Sequence, residues 1–202
     1  MKPVILLIGG ATGTGKSTVA SEVAHRLGIT RVTCTDVVRQ TLRAFFPPAE
    51  MPSIHRSSFD SPFGQPLVGA FLDQTREVLV AVEAAVARAI LEGWSMVVEG
   101  VHVVPGMLDV SAADATVVEC VLTLEDEAAH ADHFWVRDAA SGGERPVNKY
   151  LDHLGDIRRL QDYVVERARD YGVPVFENSS KNETVRAVIE LVLATEAELE
   201  TA

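Results

Sequence analysis

The sequence predicts an α/β fold, a three-layer sandwich with a parallel sheet between helical layers. Three observations carry that expectation. Short apolar runs without alternation recur along the chain, as in strands covered on both faces. Stretches of helical period separate them, the pattern of βα units. The first run opens directly into Gly10-Ala-Thr-Gly-Thr-Gly-Lys16-Ser17, which fits G-x-x-x-x-G-K-S/T at every fixed position.

The elements follow in order. Val4-Ile5-Leu6-Leu7-Ile8 is the first strand, and Val19, Ala20, Val23, Ala24 and Leu27 place a helix behind the glycine loop, with Gly28 as its C-cap. Strand, glycine loop and helix are the context a phosphate-binding loop requires. Gly10, Gly13 and Gly15 let the backbone approach a polyphosphate without Cβ clashes. The N–H groups so freed line a concavity at a helix N-terminus, whose dipole favours anions. Lys16 brings a point charge to the β- and γ-phosphates, and the Ser17 hydroxyl suits Mg²⁺. Gly10, Gly13, Thr14, Gly15, Lys16, Ser17 and Thr18 are therefore the expected nucleotide-binding residues. The motif specifies triphosphate binding and leaves the fate of the phosphate open.

Arg31-Val-Thr-Cys-Thr35 reads as a second strand ending at Asp36, followed by a helix from Val37 to Phe46 that Pro47-Pro48 stops. An acid at the carboxyl end of a strand points at the crevice where open α/β sheets bind ligands. Asp36 also suits a helix N-cap, and both roles can hold. Arg39 lies one turn on, near the same crevice. Residues 47–66, rich in Pro, Ser and Gly, form a long loop that groups His55, Arg56, Ser57 and Ser58 as anion donors. Leu67 to Glu92 is a long amphipathic helix of core-packing type.

Ser95-Met-Val-Val-Glu99-Gly100 reads as the third strand, and Glu99 stands where a phosphate-loop protein needs an acid near Mg²⁺. Ala115 to Leu124 is the fourth strand, and Glu125-Asp-Glu127 opens a helix. His130, Asp132 and His133 lie on a polar stretch of that helix without a strict ligand pattern, so no metal site is expected there. Ser141-Gly-Gly143, between Arg137 and Arg145, has the form of a glycine hinge in an arginine-bearing lid, segment 126–147. Asn148 to Tyr171 is a long helix bearing Arg158 and Arg159. Val173-Pro-Val-Phe176 is a fifth strand, Asn178-Ser-Ser180 a closing loop, and Lys181 to Leu199 a last helix.

Composition bounds the function. A chain of 202 residues, 47% apolar, is read as one domain, 1–202. A formal net charge of −11 argues against nucleic acid or an anionic membrane as partner, so an anionic substrate needs a local basic cluster. Cys34 and Cys120, far apart, suit a reducing cytosol and a cytoplasmic protein. The N-terminus lacks a signal-peptide pattern, and Glu83 and Arg88 interrupt the apolar helix around Val78–Leu91, so no membrane span is expected. A monomer or homodimer acting on a small molecule is expected.

Three classes remain: a small-molecule kinase, a GTPase switch, and an ATP-binding module without transfer chemistry. A GTPase carries N-K-x-D after a strand. Here Asn148-Lys149-Tyr150-Leu151-Asp152 has the acid one place late and sits in a helical pattern. A kinase needs a phosphate loop, an acid for the acceptor hydroxyl, basic clamps and an arginine lid, and Lys16, Asp36, Arg39 and the Arg137–Arg145 segment are candidates for each.

Thr35-Asp36-Val-Val-Arg39, His55-Arg-Ser-Ser-Phe59, and Tyr150-Leu-x-x-Leu-x-x-Ile157-Arg158-x-Leu-Gln161-Asp162-Tyr163 through Pro174-Val-Phe-Glu-Asn178, in this order behind the phosphate loop, resemble the 2-phosphoglycerate kinase family. The resemblance covers roughly Leu6 to Ile189. It implies a fold of the nucleoside monophosphate kinase type, with a five-stranded parallel sheet of order 2-3-1-4-5 and a helical lid. It implies ATP-dependent phosphorylation of 2-phosphoglycerate on its 3-hydroxyl, with Mg²⁺. Asp36 would orient or deprotonate the acceptor. Arg39, His55, Ser57 and Ser58 would grip its carboxylate and phosphate. Glu99 would serve the metal and the acceptor side. Arg137 and Arg145 would neutralise the transferring phosphoryl, and Arg158 would support either phosphate. Asn178 would contact the adenine. Phe59 departs from the Tyr common at its place, and the N-terminal extension of some members, with any regulation in it, is expected to be absent. The same scaffold serves other acceptors, including shikimate, sugar acids, nucleosides and antibiotics.

Overall fold

A computed structural model describes residues 2–110, 113–140 and 147–201, the side chains of Arg137, Ala140 and Glu200 excepted. β1 (Val4–Gly9) enters the glycine loop and α1 (Lys16–Arg26) leaves it. There follow β2 (Arg31–Cys34), α2 (Thr35–Phe45), α3 (Leu67–Leu91), β3 (Met96–Glu99), β4 (Thr116–Thr123), α4 (Glu127–Ala140), α5 (Val147–Leu151), α6 (Leu154–Asp170), β5 (Val175–Glu177) and α7 (Lys181–Thr201). The five strands pair in parallel in the order β2-β3-β1-β4-β5, as the resemblance implies.

The period of two in β1 builds the three layers. Val4, Leu6 and Ile8 pack with Val19 and Val23 of α1 and Val185, Val188 and Val192 of α7. Ile5 and Leu7 point the other way, into Val78, Leu79, Val82 and Val86 of α3. Complete burial of Ile5, Leu6 and Ile8 contributes about 1.5–3 kcal/mol each, which is why the continuous apolar run takes the central place. A third cluster joins Phe71 of α3, Phe134 of α4 and Ile157, Leu160 and Val164 of α6 beneath the loop-bearing edge. Among the described residues no helix is long and apolar enough to cross a membrane.

Two local expectations change, and a third gains detail. α2 begins at Thr35, with Cys34 at the cap position, so Asp36 lies in the first helical turn and does not cap. The helix read from Asn148 to Tyr171 is two, α5 and α6, broken where Phe59 packs against the rings of Tyr150 and His153. The 47–66 segment is anchored: it forms a 3₁₀ turn at Ser53–His55 and buries Ile54, Ser58 and Phe59.

Candidate active site

The glycine loop is braced from behind. Gly15 has φ +84° and Gly13 φ +92°, a region that side-chain-bearing residues rarely adopt. A Cβ on Gly15 would overlap the Asn178 amide, and one on Gly13 would meet the Phe134 ring. The bracing groups are polar as well as steric. The Asn178 Nδ2 donates to the Thr14 carbonyl at 2.9 Å, and His130 Nε2 and His133 Nδ1 meet the Thr12 and Gly13 carbonyls at 2.7 and 2.8 Å. Because each carbonyl accepts, each of these ring nitrogens carries a hydrogen. With these carbonyls held on the outside, the loop can turn its N–H groups inward.

His130 is wholly buried, although the sequence places it on a polar helix face. The hydrogen bond to Thr12 and stacking on Phe134 offset its desolvation. Burial also pushes its pKa below the ordinary histidine range, with the hydrogen bond to Thr12 opposing. Among the described residues no cluster of three or more His, Cys, Asp or Glu is placed to hold a metal.

A cavity of about 1120 Å³ opens over the loop. From the loop side Lys16 and Ser17 line it, from β3 Glu99, and from α2 Asp36 and Arg39. Parallel pairing places these groups together, since Ile8 stands beside Glu99 and Cys34 stands beside the same residue. The Lys16 Nζ donates to the Ala11 carbonyl at 2.6 Å, and Ser17 Oγ donates to Glu99 Oε1 at 2.8 Å. Arg39 Nη2 lies 3.4 Å from Asp36 Oδ1. The Cys34 thiol also lines the cavity, and burial, aided by the Glu99 carboxylate, pushes it up to about 11. It therefore stays a neutral thiol at physiological pH.

The other expected residues divide. Gly13, Gly15, Thr18 and Asn178 line the cavity. Thr14 is buried behind the loop, donating to the Ala11 carbonyl at 3.1 Å. Gly10 and Ser58 line a small neighbouring hollow between the loop and α6. His55 is not on the cavity wall; its Nε2 is 2.8 Å from the Phe46 carbonyl. Ser57 is likewise off the wall, its N–H donating to Asp60 Oδ2 at 3.1 Å. Arg158 is spent on the carbonyls of Leu124 and Glu125, at 3.3 and 2.9 Å, with Glu127 at 3.4 Å. The Arg137 side chain, Arg145 and the Ser141-Gly-Gly143 hinge lie outside the described residues.

Sequence reasoning gave no role to His102, Gln74, His130 or His133. His102 is wholly buried beneath α2, 2.9 Å from Thr35 Oγ1 and 3.0 Å from Gln74 Oε1. Burial drives its pKa down to about 3; Arg39 and Lys16 act in the same direction and Asp36 against it. No spacing rule pairs residues 35, 74 and 102, because they meet only through the folded packing of α2, α3 and the turn after β3.

A family model described as Zeta toxin matches residues 1–101. The 2-phosphoglycerate kinase of Methanopyrus kandleri is 38% identical over 199 residues, covering 95% of this chain and 61% of that protein. That of Methanothermobacter thermautotrophicus is 37% identical over 205 residues, covering 96% and 67%. The chain thus spans roughly six-tenths to two-thirds of the length of these relatives. A shikimate kinase from Acinetobacter baumannii, solved in complex with shikimate, shares the fold with a TM-score of 0.55 at 15% identity, over 96% of this chain and 94% of that one. With a phosphate loop facing strand-end acids, an amino-terminal half of the Zeta toxin type and a match along nearly all its length to these relatives, the chain belongs to the 2-phosphoglycerate kinase family.

Proposed function

We propose that this chain is an ATP-dependent kinase that phosphorylates the 3-hydroxyl of 2-phosphoglycerate, giving 2,3-bisphosphoglycerate and ADP. The observation that carries the reading is that Lys16, Ser17 and Glu99 face Asp36 and Arg39 across one cavity. The relatives named as 2-phosphoglycerate kinases supply the acceptor.

In this reading the triphosphate lies along the loop, and Lys16 exchanges the Ala11 carbonyl for β- and γ-phosphate oxygens. Ser17 and Glu99 are two oxygen donors already side by side. Such a pair suits Mg²⁺, which takes few protein ligands and completes its shell with water and phosphate oxygens. The metal would supply neutralisation of phosphate charge. Asp36 orients the acceptor hydroxyl and takes its proton as the new O–P bond forms and the bond from the γ-phosphorus to the β–γ bridging oxygen breaks. Arg39 grips the acceptor's anionic end. Arg137 and Arg145 would close over the phosphoryl group as a lid.

The test is ADP release by purified protein with Mg-ATP. Release that depends on 2-phosphoglycerate supports the reading. Background release with 2-phosphoglycerate, together with turnover of another hydroxyl metabolite, overturns it.

A further inference from the structure

Hydrogen bonds leave α2 at its first residue and return to it one turn later. The Thr35 hydroxyl meets His102 at 2.9 Å, and His102 meets Gln74 of α3 at 3.0 Å. Gln74 Nε2 donates to the carbonyls of Ser53 and Arg56 at 2.6 and 3.1 Å. The Arg56 carbonyl also accepts from Arg39 Nη1, which closes the ring on α2. Thr35, His102 and Gln74 are each no more than 1% exposed, and none of them is on the cavity wall. Asp36 and Arg39 are on it.

The direction of every hydrogen in the ring follows. Gln74 spends its amide nitrogen on two carbonyls, so its oxygen accepts and His102 Nε2 carries the hydrogen. A neutral imidazole then has a bare Nδ1, which accepts from the Thr35 hydroxyl. Burial keeps the imidazole neutral, so this polarity is stable across the physiological range. A satisfied buried network of this kind holds its members in one arrangement. The turn after β3 comes so close that a Cβ on Gly100 would overlap the Thr35 hydroxyl.

What the ring holds is the first turn of α2. Thr35 and Arg39 are four residues apart and stand on one side of the helix. Both are fastened to α3 through Gln74, and Asp36 lies between them. No side chain caps this end of α2, so the turn is not held locally. Arg39 is fixed in turn: one terminal nitrogen is on the Arg56 carbonyl and the other lies 3.4 Å from Asp36 Oδ1. A long side chain already held in place loses less freedom when a ligand arrives.

Resting on the kinase reading above, we propose that Thr35, His102 and Gln74 are positioning residues that set Asp36 and Arg39 for the acceptor, with the Arg56 backbone carbonyl as their link to Arg39. The acceptor class is a small alcohol bearing a phosphate or carboxylate. The three residues never meet it. They act by fixing where the Asp36 carboxylate and the Arg39 guanidinium stand.

The experiment is steady-state kinetics of the full chain with Mg-ATP and 2-phosphoglycerate, gluconate or shikimate, beside titration with a non-hydrolysable ATP analogue. Thr35→Val keeps the volume and loses the hydroxyl. It is expected to lower kcat/KM for the acceptor by about 10- to 100-fold, with affinity for the analogue unchanged, a split that general loosening of the fold would not produce. Thr35→Ser keeps the hydroxyl and is expected to keep the wild-type rate. Gln74→Met is expected to raise the acceptor KM by about tenfold, and to raise it little further in an Arg39→Gln background, because Gln74 acts through Arg39. Wild-type acceptor kinetics in Thr35→Val, equal losses toward acceptor and analogue, or a Gln74→Met effect that adds in full to that of Arg39→Gln overturns the proposal. If Gln74→Met does not fold, the Thr35→Val and Thr35→Ser pair decides alone. The same pattern with gluconate or shikimate in place of 2-phosphoglycerate supports the positioning role while overturning the choice of acceptor. A wild type that phosphorylates none of the three overturns both.

Discussion

Ser17 Oγ donates to Glu99 Oε1 at 2.8 Å, joining the first turn of α1 to the end of β3. The register sets this contact, because Glu99 pairs with Ile8, the residue that precedes the last position of β1. A carboxylate so placed holds the Ser17 hydroxyl and, in the kinase reading, one side of the metal shell. Glu99→Gln is expected to lower kcat by about 10- to 1000-fold and to raise the Mg²⁺ needed for half-maximal rate. A Mg²⁺ titration of ADP release checks it, and an unshifted midpoint would show that Glu99 only positions Ser17.

Asp36 stands on the cavity wall in the first turn of α2, 3.4 Å from an Arg39 nitrogen. Since it does not cap the helix, its removal should spare stability. Asp36→Asn is expected to keep ATP affinity and the melting temperature while lowering kcat by roughly two to four orders of magnitude. Normal turnover would remove Asp36 from the chemistry.

Lys16 is parked on the Ala11 carbonyl, a partner it can surrender to phosphate. Lys16→Ala is expected to weaken nucleotide binding by at least about tenfold and to reduce transfer further. Direct titration with an ATP analogue measures the first effect. Unchanged affinity would place the β- and γ-phosphates elsewhere.

Phe134 is 1% exposed and packs beneath Gly13, stacked between His130 and Tyr150. Phe134→Ala is expected to cost about 3–5 kcal/mol of stability, read by denaturant unfolding. The same cavity would free the back of the glycine loop, so the variant should also bind nucleotide more weakly at temperatures where it remains folded. Nucleotide affinity equal to wild type would show that the loop holds its shape without α4.

Glu119 on β4 supplies a pH dependence away from the site. Burial raises its pKa from 4.5 to about 7, with Arg167 opposing. The folded state therefore keeps a proton that the unfolded chain releases above about pH 4.5. Its contribution to stability is full below 4.5 and is lost as pH rises through 7. Glu119→Gln, which cannot ionise, is expected to gain melting temperature relative to wild type by a few degrees between pH 4.5 and 8. Parallel curves across that range would refute the assignment.

Much of this was legible in the chain. The G-x-x-x-x-G-K-S run, the apolar strands and the strand-end acids are local patterns, and local patterns survive without a fold. They announced the parallel sheet, the phosphate loop, Asp36 and Glu99. The order of the strands was legible only through the resemblance, since nothing in a strand's composition names its neighbours. The roles of His130 and His133 were hidden because a helix face reads as polar whether it meets water or a row of backbone carbonyls. His55 and Arg158 look like anion donors, but backbone carbonyls occupy their hydrogen bonds, and Ser57 stands off the cavity wall with its N–H on Asp60.

Sequence alone determined that a triphosphate-binding loop opens a βα-type domain with acids at its strand ends, because spacing within a few residues sets that chemistry. Tertiary structure alone decided which donors reach the cavity and which are spent on one another behind it. Thr35, Arg56, Gln74 and His102 come from four separate stretches of chain, and only the packing of α2 and α3 against the turn after β3 brings them into one hydrogen-bonded ring.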